Sequence, residues 1–227
     1  MGAAKQVILQ RMTAQRWVGA DDGPRDGAVA IGLRWRRRST QTLGGELGIV
    51  DTPTGEQHLV ILRATQKVLK SLEKSAADEE TSDTALGDWY VNRTVVDHKP
   101  LLLFVSSRSL LAMVTRAQKV KLLPEHFPDR LSKRLERLDV DSAVIDSEVE
   151  ATQPVRVGRT RDRSVMGTMV DFAKVLPFYL PEDGWDDRDL FLAELKLAQT
   201  PCRCGPSFDE AIWPVEHAVR LLEERWR

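Results

Sequence analysis

The sequence predicts an α+β domain in which helices pack on a small, mostly antiparallel sheet of about four strands, preceded by a poorly ordered N-terminal tail. Three observations predict it. Short apolar runs and amphipathic stretches are mixed without strict β-α-β alternation. The runs Leu101–Val105 and Leu110–Thr115 are split only by S-S-R-S, the pattern of a β-hairpin. Composition also shifts near residue 58, with nine of the fourteen glycines falling in residues 1–57.

The first 57 residues hold no sustained apolar period, although Ala28–Leu33 suits a short strand. They carry the cluster Arg34, Arg36, Arg37 and Arg38, which reads as a solvated arm, as an arm for nucleic acid or a membrane surface, or as translated upstream sequence outside the natural product. The division expected is therefore 1–57 as extension and 58–227 as one domain.

From His58 onward the pattern is regular. His58–Arg63 is an apolar strand, and Thr65 can cap a helix over Gln66–Leu72 with Val68, Leu69 and Leu72 on one face. Lys74–Thr84 is polar and reads as loop, and Leu86–Val95 as a short helix. After the hairpin come helices over Phe127–Leu138 and Asp141–Ala151, a strand over Val155–Arg159, and helices over Ser164–Leu176, Asp187–Ala198 and Pro214–Trp226.

The totals limit the function classes. The 227-residue chain is 42% hydrophobic and 30% charged, with a formal net charge of −1, so binding to a polyanion has to come from local patches. Its clean apolar stretches fall far short of the ~20 residues that span a bilayer, so no membrane partner is expected. The two cysteines, Cys202 and Cys204, are one residue apart, a spacing that rarely closes a disulfide, and a reducing cytoplasm is the natural setting. Neither that pair nor the histidines His58, His98, His126 and His217 form a recognisable metal-ligand set. G-x-S-x-G, P-loop and H-E-x-x-H patterns are absent, and no metal or cofactor is expected.

The most informative run is Val157–Asp171, which joins a strand to an amphipathic helix with Arg159, Arg161, Arg163 and Ser164 at the joint. A helix start fronted by guanidinium groups suits an anion. Val165, Met169, Phe172, Ala173 and Leu176 form the apolar stripe, leaving Ser164, Gly167, Thr168 and Asp171 on the other side. Gly167 costs about 1 kcal/mol of helix propensity, which makes sense where something approaches the backbone.

L-G-D-W-Y, Leu86–Tyr90, sets Asp88 beside Trp89 and Tyr90. This is either an acid next to a stacking platform or an aromatic anchor with Asp88 capping a helix. Arg130, Lys133, Arg134 and Arg137 follow i, i+3, i+4, i+7 spacing and form a basic stripe able to track phosphates. Asp88 and Asp171 are the candidates for acid–base or metal-ligand work, provided that they converge.

Taken in order, T-Q-K (Thr65–Lys67), L-G-D-W-Y, P-L-L-L-F-V-S-x-R (Pro100–Arg108), R-T-x-x-R-S-V-x-G-x-M-x-D (Arg159–Asp171) and T-P-C (Thr200–Cys202) resemble an uncharacterised bacterial domain-of-unknown-function family over roughly residues 58–222. That family has no established activity and lends no catalytic residues. Asn is common in it where Asp162 and Val170 stand here; if either Asn serves binding in the family, this chain binds differently or not at all.

The readings that follow are a domain binding a phosphate-bearing ligand, foremost nucleic acid; a nuclease-like or nucleotidyl-transfer enzyme using Asp88 and Asp171; and a module that contacts a protein partner without catalysis.

Overall fold

The computed structural model describes residues 58–72, 80–203 and 211–227. The expectations for the tail, its arginine cluster, the Ala28–Leu33 strand, most of the Lys74–Thr84 loop and Cys204 lie outside those residues.

The fold is α+β, with six α-helices among the described residues and a five-stranded mixed sheet in the order β4-β3-β2-β1-β5. The strands are β1 (Val60–Ala64), β2 (Trp89–Val96), β3 (Lys99–Ser106), β4 (Ala112–Arg116) and β5 (Val155–Arg159). β1 lies parallel to both β2 and β5, whereas β2, β3 and β4 run antiparallel. The sheet is thus mixed and five-stranded, not a mostly antiparallel set of four.

The correction comes from one segment. Residues read as a short helix over Leu86–Val95 instead form β2, which pairs along its whole length with β3. Trp89, Tyr90 and Val91 are buried in succession, so no clean period-2 alternation marks the strand start. Its aromatic and β-branched content is what a pleated, half-buried surface favours. The parallel β1–β2 pairing needs a crossover, which α1 (Gln66–Leu72) supplies with Val68, Leu69 and Leu72 buried. Thr65 is not a side-chain cap: its hydroxyl donates to Asn92 Oδ1 at 3.1 Å, while its carbonyl accepts from Val68 and Leu69.

The hairpin forms as expected between β3 and β4. α2 (Leu123–Glu136) begins four residues before the expected start, because Pro124 is accommodated in the first turn, where no N–H is needed. α3 (Ser142–Ala151) is capped by Asp141, whose carboxylate accepts from Ala143 N. α4 (Arg163–Val175), α5 (Asp187–Ala198) and α6 (Pro214–Trp226) complete the helices, and Cys202–Arg203 pairs with Ala211–Ile212 as a short ribbon.

Two cores sandwich the sheet. On one face Leu101, Leu103, Val105, Ala112 and Val114 pack against Val165, Met169 and Phe172 of α4 and Leu190, Ala193 and Leu197 of α5. On the other, Phe127 of α2 meets Trp89 edge-on at 5.7 Å between ring centroids and lies 6.2 Å from Phe104. α6 is fastened to α3 by Trp226, whose indole N–H donates to Glu148 Oε2 at 2.8 Å. No described helix is long and apolar enough to cross a membrane.

Candidate functional site

The two motifs singled out in the sequence meet in space. Gly87 adopts φ +74°, and a Cβ there would sit 2.6 Å from Ser107 Oγ, so the turn into β2 requires glycine. That turn places Asp88 immediately before β2, within reach of Arg161 from the loop that follows β5.

Asp88 is buried and its carboxylate is fully used. Oδ2 accepts from Arg63 Nε at 2.7 Å and faces Arg161 Nη2 at 3.5 Å. Oδ1 accepts from the Ser82 backbone N–H at 2.9 Å and its hydroxyl at 2.7 Å. Arg63, the fourth of the five residues of β1, is 0% exposed and also donates to the Glu80 carbonyl. Its Nη1 has no hydrogen-bond partner among the described residues. Arg156, on β5, pairs with the Glu80 side chain.

The second link is Tyr90, whose hydroxyl accepts from Asp162 N at 3.0 Å and whose phenol burial pushes up in pKa. Asp162 then caps α4: its carboxylate accepts from Ser164 N at 2.8 Å and Val165 N at 3.3 Å. The chain thus already places an anion of its own at the helix start. Around this capped terminus Arg159, Arg161, Arg163 and Ser164 are exposed, and so is Gly167; Thr168 is half-buried, its hydroxyl donating to the Ser164 carbonyl at 3.3 Å. Apart from its chain neighbours and the surrounding helix backbone, no described atom lies within 4 Å of where a Cβ of Gly167 would be.

Other sequence candidates land elsewhere. Trp89 is fully buried against Phe127, and Tyr90 is buried too, so neither offers a face for ligand stacking; they are anchors of the sheet. Asp171 is exposed and pairs with Lys174 at 3.0 Å, about 12 Å farther along the helix than its start at the 1.5 Å rise per residue. It shares no partner with Asp88, and the structure does not bring the two carboxylates together.

The basic stripe is also divided. Arg134 points inward and is 2% exposed, donating to the Ala112 carbonyl at 3.2 Å and pairing with Glu194 at 3.8 Å. Arg130 is half-buried and donates to Thr115 Oγ1 at 2.6 Å, whereas Lys133 and Arg137 remain exposed. A helical stripe of four contains one inward position when the apolar face is wide, and Arg134 neighbours Leu131 and Leu135 there.

No group of three or more His, Cys, Asp or Glu able to hold a metal occurs among the described residues. His58 bonds Asp83 at 2.8 Å, and burial lowers the pKa of His217. Sequence reasoning missed Arg63 and Glu194. The available signal was a charge inside an otherwise apolar strand, V-I-L-R-A, and a carboxylate on the inward face of α5.

A family model for a domain of unknown function, DUF6933, matches residues 61–217, and the chain belongs to that family. A search of curated proteins finds no match.

Proposed function

We propose that this member of the DUF6933 family binds a phosphate-bearing ligand, foremost single-stranded nucleic acid, along the end of β5 and the start of α4. The observation that supports it is the exposure of Arg159, Arg161 and Arg163 over five residues at the rim of a network fixed by the buried Arg63–Asp88 pair. Guanidinium forks on a rigid strand end suit phosphate oxygens, and the buried pair beneath holds that strand end in place. Asp162 lies among them and sets the affinity below what the arginines alone would give. A cytoplasmic setting belongs to the same reading, supported by the low cysteine content.

The test is the affinity of the full chain for a fluorescent single-stranded oligonucleotide, beside the double variant Arg159→Ala/Arg163→Ala. Both side chains are exposed, so the fold is kept. The expected result is a loss of about tenfold or more in affinity. Equal affinity in the two proteins would refute the proposal.

A protein partner is the second reading. Phe178 is 84% exposed just beyond α4, and Val170 is exposed on the helix itself. Binding to a protein with weak salt dependence would favour it.

A further inference from the structure

At the opposite edge of the sheet, β4 has no neighbouring strand on its outer side among the described residues. Two side chains seal it. Glu194 of α5 accepts from Val114 N at 2.6 Å through Oε1, and Arg134 of α2 donates through Nε to the Ala112 carbonyl and through Nη2 to the Glu194 carbonyl. This duty accounts for the burial of both. It leaves one donor and one acceptor over: Arg134 Nη1 and Glu194 Oε2 have no hydrogen-bond partner among the described residues. Burial pushes the Glu194 carboxyl up and Arg134 opposes that rise; the guanidinium remains charged.

Both residues line a cleft of about 290 Å³ between β4, α2 and α5. Arg116, Arg130, Lys133 and Arg137 line it as well, with Asp187 as the other carboxylate. Arg116 is neutralised by Asp187 at 2.9 Å and Arg134 by Glu194. Arg130, Lys133 and Arg137 have no ion pair among the described residues, so the cleft carries three surplus cations. Leu190 and Phe191 give it an apolar wall, and the Arg137 guanidinium lies 4.8 Å from the Phe191 ring centroid.

We infer that this cleft is a second site, distinct from the β5–α4 surface, and that it takes a small phosphate monoester carrying a free hydroxyl. The dianionic phosphate meets Arg130, Lys133 and Arg137, and an ester or phosphate oxygen accepts from Arg134 Nη1. The hydroxyl donates to Glu194 Oε2. At about 290 Å³, just under the roughly 300–1,000 Å³ of ligand pockets, the cleft matches a small molecule in size.

The test is calorimetric titration of the full chain with ribose 5-phosphate and with inorganic phosphate as probes. The expected result is binding of ribose 5-phosphate, weaker binding of inorganic phosphate, and a loss of about tenfold in the Lys133→Ala/Arg137→Ala variant, whose altered residues are exposed. The Arg159→Ala/Arg163→Ala variant should bind ribose 5-phosphate as the unaltered chain does, which separates this site from the other surface. No heat of binding up to about 10 mM, equal binding of the two probes, or unchanged affinity in Lys133→Ala/Arg137→Ala would each overturn the inference.

Discussion

At Asp88 one carboxylate holds two arginines of very different exposure. Arg63 is wholly buried, whereas the Arg161 side chain is about half in solvent. A buried ion pair that loses one partner leaves a charge stranded, typically at about 3–5 kcal/mol, while an exposed pair contributes about 0–1 kcal/mol. Asp88→Ala should therefore lower unfolding free energy in urea by about 3–5 kcal/mol, and Arg161→Ala by less than about 1 kcal/mol. Similar losses in the two variants would contradict this assignment. The exposed arginines of the site were legible in the sequence because a dense Arg run at a strand–helix joint is visible locally. Arg63 was not: its partner lies 25 residues away, and nothing in V-I-L-R-A says where the guanidinium goes.

At the scale of elements, α4 depends on Asp162 for its cap and suffers its charge at the same place. Asn caps about as well as Asp. Asp162→Asn should therefore change stability by less than about 0.5 kcal/mol and raise oligonucleotide affinity severalfold, as read by thermal unfolding and by fluorescence titration. Unchanged or weaker affinity would show that the helix start is not part of the binding surface. Helices with clear caps or clean stripes, such as α3 behind Asp141 and α5 behind Asp186, were legible to within a residue or two. β2 was not, because three consecutive buried residues at its start mask the strand period, and its parallel neighbour β1 is set by tertiary pairing.

Over the whole molecule a net charge of −1 conceals two cationic regions at opposite edges of one sheet. β4 and β5 are four strand spacings apart, about 19 Å at the usual interstrand distance. Arg159, Arg161 and Arg163 are exposed, and their density is visible in the sequence, but local sequence does not show that Arg134 turns inward to the edge strand and lines a cleft with Arg130, Lys133 and Arg137. On the proposal that the β5–α4 surface binds a short strand, this separation leaves that surface alone to make the contacts, about three phosphates for its three arginines.

The most direct test of that claim is the salt dependence of oligonucleotide binding by the full chain. Three contacts to single-stranded nucleic acid predict a slope of about −2 for log affinity against log salt. A slope near zero, or no binding at low salt, would contradict it.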